Sequence, residues 1–197
     1  YERGAFSKIE SKASEMTKRF LKSNFLIALS SLEGGYFEDT ITLLIEHSAS
    51  GAFGVIVNKP AATDLSDLSA ANFDLPKLAL PVLLGGPVEQ DHLYFLHSTE
   101  RHYPQTISIN SEISLSTSRE LLQDLSKPCT PEYVLPFLGY AGWRAGQLEF
   151  EIKQGAWLIA PFEKNIVFST PYSERTTAAA KQMGIDLNLL INDLNEH

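Results

Sequence analysis

The stretch TITLLIEHSASGAFGVIVNKP, residues 40–60, decides the fold of this chain. Residues 40–45 are β-branched or aliphatic, which suits a packed, pleated strand. Gly51 can take the positive φ of a tight hairpin turn, and residues 53–57 then return as an apolar run typical of a strand buried on both faces. Pro60 ends this run because its nitrogen carries no hydrogen for the ladder. The stretch therefore predicts an antiparallel hairpin.

Two polar pairs flank the strands of this hairpin. Glu46 and His47 lie next to the turn, whereas Asn58 and Lys59 follow the returning strand. Because the two strands run antiparallel, we expect the pairs at opposite ends of the hairpin. A single site made from all four side chains therefore requires a third segment of the chain.

The sequence on both sides of the hairpin predicts further short strands and helices. Apolar or β-branched runs predict strands at residues 25–29, 81–87, 93–97, 106–109, 113–115, 134–140, 157–160 and 166–168. Capping residues and turn signals predict helices at residues 63–68, 116–125, 147–153 and 172–183. We expect residues 93–97 to pair with the strand at 81–87. Since hairpins and strand–helix alternation both occur, the chain predicts an α/β fold with α+β character, in which helices flank a mixed sheet.

The first 24 residues differ from the rest in charge and in spacing. They contain six basic and three acidic residues, and Ile9, Ala13, Met16 and Phe20 are spaced by 4, 3 and 4 positions. This spacing predicts an amphipathic helical extension over residues 1–24, followed by a single domain over residues 25–197. Such a helix packs on its own domain or on a neighbouring subunit, or it docks on a partner or an anionic membrane. The narrow stripe, which lacks Trp, favours packing.

Composition bounds the class of protein. The 197 residues suffice for one sizeable core, and 44% hydrophobic with 20% charged residues is ordinary for a globular protein. The net charge of −8 disfavours direct nucleic-acid binding, because that affinity rests on Lys and Arg contacts with phosphate. No apolar run reaches the roughly 20 residues of a membrane span, and no signal-peptide pattern opens the sequence. With one cysteine, Cys129, these features predict a cytoplasmic protein.

Catalytic and metal-binding patterns are weak in this sequence. No G-x-S-x-G nucleophile elbow occurs, and Cys129 lies between prolines in a loop with no obvious base beside it. His92, His97 and His102 are spaced by five positions, which fits neither one helix face nor one strand face. We therefore predict no metal site and no cofactor.

Two glycine-containing runs have both a structural and a binding interpretation. Gly-Gly-Pro at residues 85–87 can present backbone N–H groups to an anion, but a strand-to-turn bend explains it as well, and no P-loop ending follows. In GYAGWRAGQLEFEI, residues 139–152, Tyr140, Trp143, Arg144 and Gln147 supply binding surface, and Trp143 beside Arg144 can hold a ring or an anionic group. The same run can form a strand-to-helix corner closed by its aromatic residues. The structural interpretation is favoured for both runs.

Several motifs occur in an order that resembles the AlgH/YqgE family. They are Glu46-His47, Gly-Ala-Phe-Gly at 51–54, Asn58-Lys59-Pro60, Gly85-Gly86-Pro87, His97, Thr117-Ser118-Arg119 and GYAGWRAGQLE from residue 139. The resemblance covers residues 25–186 and implies a bacterial cytosolic domain with a mixed, partly barrel-like sheet. Members of that family have been proposed as transcriptional regulators. The chain departs from the family pattern at Glu38-Asp39, where a basic residue is common, and at Thr176, where Trp is frequent.

The sequence favours a non-enzymatic binding or regulatory protein that contacts a protein partner or a small ligand. The candidate surface combines Glu46, His47, Asn58, Lys59, Arg119, Trp143, Arg144 and Gln147. The alternative is an enzyme of unknown reaction in which Glu46 and His47 share acid and base roles, although neighbours on a strand point to opposite faces. A third hypothesis, direct DNA binding, requires salt-sensitive retention of an acidic protein on duplex DNA. The oligomeric state stays open.

Overall fold

The computed structural model describes residues 20–29, 32, 34–69, 79–127 and 131–187. Three sequence predictions fall outside these residues. They are the helical extension over residues 1–24, except for its last five positions, the loop that contains Cys129, and the tail after residue 187.

Ten strands and five short α-helices form the described part of the chain. The strands are β1 Asn24–Ala28, β2 Ile41–Ser48, β3 Gly51–Ile56, β4 Pro60–Asp64, β5 Pro81–Leu84, β6 Val88–Ser98, β7 Thr106–Ser108, β8 Ile113–Ser116, β9 Val134–Arg144 and β10 Trp157–Pro161. The helices are α1 Leu65–Ser69, α2 Arg119–Asp124, α3 Gln147–Lys153, α4 Lys164–Phe168 and α5 Arg175–Gln182, and a 3-10 turn at Tyr172–Glu174 precedes α5.

The predicted hairpin is present as β2 and β3. Leu43 lies opposite Val55, and Ser48 lies opposite Gly51 at the turn. A bulge between Leu44 and Glu46 shifts the register and re-aims the side chains that follow it. On its other edge β2 pairs with β1, so the hairpin lies inside the sheet rather than at its border.

Strand β9 connects the two halves of the sheet. The main strand order is β10-β1-β2-β3-β9-β6-β8-β7. The C-terminal half of β9 is antiparallel to β3, whereas its N-terminal half is parallel to β5, which also pairs with β4. This parallel pair among antiparallel ones confirms the mixed sheet, which curls into a half-barrel with helices beside it.

Three apolar clusters pack the helices against the sheet, and the third of them contains Leu65 of α1 and Leu121 of α2. The larger cluster joins β1, β2, β3 and β9 to α4 and α5, with Phe25, Phe137 and Val167 fully buried. A second cluster packs α3 against β9 and β10 through Trp143, Trp157 and their neighbours. Because each large apolar side chain contributes about 1.5–3 kcal/mol when buried, these clusters position the β9–α3 junction rigidly.

The predicted pairing between residues 93–97 and the strand at 81–87 is wrong. Strand β6, which contains 93–97, pairs with β8 and β9, and β5 lies against β9 from the other side. Gly85 and Gly86 permit this arrangement because the backbone of β9 passes very close to them. A Cβ atom on Gly86 would lie 2.0 Å from the carbonyl carbon of Tyr140. The Gly-Gly-Pro run therefore has a structural role, but that role is a close backbone crossing, whereas the sequence predicted a strand-to-turn bend.

Two secondary-structure predictions are also wrong. Residues 166–168, predicted as a strand, belong to the helix α4, in which Ile166 and Val167 are buried against the larger cluster. A helix of five residues is too short to display helical periodicity, so its apolar run was indistinguishable from a strand. Pro60 does not end the extended chain but begins β4, whose partner is β5. Proline is tolerated there because it is the first residue of its strand.

Two predicted helices begin at side-chain caps, but both begin later than predicted, at Leu65 instead of residue 63 and at Arg119 instead of residue 116. The hydroxyl of Ser118 accepts a hydrogen bond from the backbone N–H of Glu120 at 3.2 Å and so caps α2. A carboxylate oxygen of Asp64 accepts the backbone N–H of Asp67 at 3.0 Å at the start of α1. Gly155 follows α3 with φ of 73°, a left-handed conformation that glycine adopts readily at the end of a helix.

Candidate functional site

The eight residues of the predicted surface come from four segments of the chain, and the first and last of these are in contact through His47 and Glu149. The segments supply Glu46 and His47 at the turn end of β2, Asn58 and Lys59 just after β3, Arg119 at the exposed start of α2, and Trp143, Arg144 and Gln147 at the junction of β9 with α3. The two polar pairs of the hairpin are at opposite ends, as predicted. Within the described residues, no third segment brings these two pairs together into one site.

His47 is a buried structural link rather than an accessible base. Its Nδ1 accepts the backbone N–H of Leu21 at 2.9 Å, and its Nε2 lies 2.9 Å from a carboxylate oxygen of Glu149 on α3. Since Nδ1 is an acceptor, the ring proton is on Nε2 and is donated to Glu149. Glu46 is exposed on the opposite face of β2, while His47 is 7% exposed. The acid–base pair of the enzyme hypothesis is therefore not assembled.

Asn58 and Lys59 fasten the other end of the hairpin to neighbouring segments. The side-chain oxygen of Asn58 accepts the backbone N–H of Ile41 at 3.0 Å, and its amide nitrogen donates to the carbonyl of Asp39 at 2.8 Å. The ammonium of Lys59 donates to the carbonyl of Tyr36 at 3.0 Å and lies 4.3 Å from the centre of that ring. Both side chains are used within the fold.

Trp143 is held by a carboxylate that the sequence did not single out. The indole N–H groups of Trp143 and Trp157 both donate to one oxygen of Glu151 at 2.8 Å, and the amide of Gln147 donates to the other oxygen at 2.9 Å. Trp143 is 6% exposed and stacks near Phe37, with ring centres 6.2 Å apart. The predicted corner closed by aromatic residues is thus present, and it removes most of Trp143 from any ligand.

Beside this corner, the other face of β9 forms an open groove of about 660 Å³. We call it the aromatic groove. It is lined by Ala52, Phe53, Val88, Glu89, Tyr94, Tyr140, Gly142, Trp143, Arg144 and Gln147. Arg144 and Gln147 are the two predicted candidates that lie together on its rim.

Three aromatic rings meet in the aromatic groove. Tyr140 is central, and the rings of Phe53 and Tyr94 each stand nearly perpendicular to it with centres 5.8 Å away. Such edge-to-face pairs contribute about 0.5–1.5 kcal/mol beyond their buried area. The hydroxyl of Tyr94 donates to a carboxylate oxygen of Glu89 at 2.6 Å. Burial, followed by the contact with Glu89, raises the pKa of Tyr94 well above its usual value, so the hydroxyl stays protonated.

Gly142 keeps the floor of the aromatic groove open. It lies opposite Phe53 in the β3–β9 ladder and is exposed. A Cβ atom at this position would meet only the ring of Tyr140, at 3.4 Å. Arg144 follows two residues later on the same face of β9, and its backbone N–H donates to the side-chain oxygen of Gln147 at 3.0 Å.

Sequence reasoning missed most of the residues that form the aromatic groove. Phe53 and Tyr94 were assigned to buried strands, and Glu89 was not considered as a site residue. Tyr140 and Gly142 belonged to the glycine-containing run with a binding interpretation but were left out of the predicted surface. One usable signal was present, because residues 140, 142 and 144 alternate with the apolar residues Ala141 and Trp143. That alternation indicates a strand with one covered face and one free face, which is what the structure contains.

The histidines predicted not to form a metal site are spread over β6 and the segment after it. Across the described residues, no group of three His, Cys, Asp or Glu side chains is placed to share a metal ion. His97 is fully buried, and its Nδ1 lies 2.8 Å from the carbonyl of Ser98. Its Nε2 has no hydrogen-bond partner among the described residues. Burial lowers the pKa of His97, since the charged ring loses its hydration.

Of the helices that the structure describes, none is long and apolar enough to cross a membrane.

The curled mixed sheet with its flanking helices makes this an α/β protein, and both its sequence and its fold are similar to those of known proteins. The profile described as AlgH-like, DUF179, matches residues 25–188. The chain therefore belongs to the AlgH-like family, as its motifs indicated.

Individual relatives cover most of the chain. A UPF0301 protein of Pseudomonas fluorescens Pf0-1 is 38% identical over 87% of this chain and 93% of its own length, and a UPF0301 protein of Pseudomonas putida W619 is 40% identical with the same coverage. The solution structure of AlgH from Pseudomonas aeruginosa is similar with a TM-score of 0.75 and 38% identity, over 87% of this chain and 93% of that one. A crystal structure of protein DIP2367 from Corynebacterium diphtheriae shares the fold, with a TM-score of 0.69 and 21% identity over 86% and 90% of the two chains.

Proposed function

We propose that this protein is a non-enzymatic binding protein that acts in the cytoplasm through a protein partner. The aromatic groove receives an apolar or aromatic side chain from an exposed segment of that partner, and Arg144 contacts an acidic group beside it. The observation that carries this proposal is the pair of edge-to-face contacts that Phe53 and Tyr94 make with Tyr140, beside the exposed Gly142 and with Arg144 at the rim.

The shape of the aromatic groove supports a partner segment more than a small molecule. Pockets for small molecules enclose about 70–90% of the ligand surface. Here Glu89, Gly142, Arg144 and Gln147 are exposed, so the groove is open along its rim. Tyr, Trp and Arg are the residue types enriched at the centres of protein–protein interfaces.

Electrostatics and the contacts of His47 support the same proposal. A net charge of −8 disfavours a polyanion such as nucleic acid as the partner. His47, the best general base of the enzyme alternative, is buried and hydrogen-bonded at both ring nitrogens. The protein would then regulate its partner by binding it reversibly, without catalysing a reaction.

A pair of arginine variants tests the proposal. Arg144→Glu reverses the charge at the rim of the aromatic groove, while Arg119→Glu makes the same change at an exposed position outside it. Quantitative affinity capture from cells of the source organism should show specific polypeptides that the wild-type protein and Arg119→Glu retain and Arg144→Glu loses, by about tenfold or more.

Gly142→Val sharpens this test without a change of charge. The valine side chain occupies the floor of the groove, so the same polypeptides should be lost although the variant remains folded. Capture of an identical set of polypeptides by all three variants and the wild type would refute the proposal.

A further inference from the structure

Arg175 carries a buried positive charge that no carboxylate in the described part of the chain neutralises. It is the first residue of α5 and is 4% exposed. Within the described residues it forms no ion pair with an Asp or Glu side chain. Buried arginines are ordinarily paired, because an unneutralised charge in the interior is costly. An explanation for this unpaired guanidinium is therefore needed.

The contacts of Arg175 leave part of its guanidinium unused. Nε donates to the carbonyl of Thr170 at 2.9 Å, and Nη1 donates to the carbonyl of Val57. The ring of Tyr172 covers the guanidinium, with its centre 4.4 Å away. No hydrogen bond joins Nη2 to any other described residue, so a fork of N–H donors is left over. Burial lowers the pKa of Arg175 to about 10, which keeps the group charged at neutral pH.

Arg175 borders a cleft of about 680 Å³ whose composition suits an anion. We call it the arginine cleft. It is lined by Asn58, Pro60, Ser169, Thr170, Pro171, Tyr172, Ser173 and Arg175. Four of these residues carry hydroxyl groups, one is a cation, and none is acidic. This lining contrasts with the acidic balance of the chain as a whole.

Asn58 holds the arginine cleft in shape. Its amide nitrogen donates to Thr176 of α5 at 3.3 Å as well as to the carbonyl of Asp39, and its oxygen accepts the N–H of Ile41. These bonds place the end of β3 against the start of α5, where the carbonyl of Val57 meets Arg175. Asn58 is thus a positioning residue, and its amide has no donor left for a ligand.

We propose that the arginine cleft binds a small molecule through an oxyanion group, either a phosphate or a carboxylate. Nη2 of Arg175 donates to the oxyanion, and the hydroxyls of Ser169 and Ser173 lie beside it. A planar guanidinium matches the paired oxygens of both groups, and its removal from water strengthens the contact. This site shares no residue with the aromatic groove, so the two proposals stand or fall separately.

Neighbouring carboxylates limit the charge of the ligand. Glu38 and Asp39 line an adjacent cleft that also contains Asn58 and Ser173, and Glu174 is exposed next to Arg175. These groups repel additional negative charge. The arginine cleft therefore suits one anionic group on a small molecule rather than a polyphosphate chain.

Titration with simple anions tests the site directly. The Nε–H signal of Arg175 can be followed by two-dimensional ¹⁵N–¹H NMR while inorganic phosphate or, separately, acetate is added at constant ionic strength. We expect a saturable shift of this signal, and the anion with the tighter response identifies the preferred group. No saturable response to either anion would overturn the proposal.

Two variants of Ser169 provide the matched control. Ser169→Asp introduces a carboxylate into the arginine cleft, while Ser169→Asn has nearly the same shape without the charge. The Asp variant should bind the anion about tenfold or more weakly and melt at a higher temperature than the Asn variant, because its own carboxylate neutralises Arg175. Equal anion affinity and equal melting temperatures in the two variants would contradict the proposed site.

Discussion

Near the C-terminal end of β9, the side chains on one face of the strand pack against other parts of the protein, whereas those on the other face line an open groove. On the covered face, Trp143 packs against Phe37 and Trp157, and both indole N–H groups are bound by Glu151. On the other face, Tyr140 and Arg144 line the aromatic groove, with Gly142 between them. The two indole N–H groups of the covered face are therefore already used within the fold.

This difference separates structural residues from candidate binding residues within one run of sequence. Alternation along a strand sends neighbouring side chains to opposite faces. Trp143 borders the aromatic groove, but its indole packs in the covered corner, whereas Arg144 is exposed on the groove face. We infer that Trp143 stabilises the fold, whereas Arg144 is available for binding. Substitutions on the covered face should therefore change stability, and those on the groove face should change binding.

The largest effect is expected from the loss of Glu151. Glu151→Ala leaves two buried indole N–H groups without an acceptor and should lower the free energy of unfolding by about 3 kcal/mol. Equilibrium unfolding in urea measures this change. Glu151→Gln retains an acceptor oxygen and should lose less. A loss below about 0.5 kcal/mol for the alanine variant would show that this contact does not hold the corner.

A pair of glycines compares the tightly packed and open parts of the sheet. A Cβ atom on Gly54 would lie 2.4 Å from the carbonyl oxygen of Leu43, while one on Gly142 would meet only a ring carbon at 3.4 Å. Gly54→Ala should therefore lower the free energy of unfolding by about 2 kcal/mol, and Gly142→Ala should leave it nearly unchanged. Urea unfolding of the two variants decides this, and equal losses would mean that the groove floor is not open.

The smallest effect concerns the two buried histidines. His47 has partners at both ring nitrogens, whereas Nε2 of His97 has none among the described residues. Since burial lowers the pKa of His97 from its usual 6.5, the unfolded chain binds a proton before the folded one does as the pH falls below that value. Stability should therefore decrease as the pH falls from about 7 to 5.

His97→Phe isolates this contribution. The phenyl ring keeps the contact with Tyr103 but cannot be protonated. The variant should lose less stability between pH 7 and pH 5 than the wild type, whatever its stability at pH 7. Glu100 and His102 act on His97 electrostatically. Both residues remain in the variant, so their own protonation contributes to the pH dependence of both proteins. Identical pH slopes would show that His97 does not contribute.

The sequence predicted the hairpin, most of the helices and the mixed sheet, because these depend on local patterns. The β-branched run at residues 40–45 and the cap at Ser118 needed no knowledge of distant contacts. The β5–β9 pairing was not predictable, since it depends on a backbone crossing at Gly85 and Gly86 that only the folded chain reveals. The helix α4 was missed because it is too short to show helical periodicity. Its apolar residues are explained by their packing against the core of the folded protein.

The candidate site was only partly predictable for a related reason. Arg144 and Gln147 were identified by residue type, but their neighbours Phe53 and Tyr94 come from strands 90 or 50 residues away. Arg175 carried no signal at all, because an arginine at the start of a helix is expected to be exposed. Its burial depends on distant backbone, because its hydrogen-bond acceptors are the carbonyl of Val57, just after β3, and the carbonyl of Thr170, in the loop after α4.

Photo-crosslinking from the rim of the aromatic groove tests the central claim most directly. A photoreactive phenylalanine analogue at position 147 should give crosslinks to a specific partner in cells, and the same analogue at position 119 should not. Adding Gly142→Val should abolish the crosslinks from position 147 while the free energy of unfolding stays unchanged. Identical crosslinks from positions 147 and 119, or crosslinks that persist with Gly142→Val, would contradict a binding role for this face of β9.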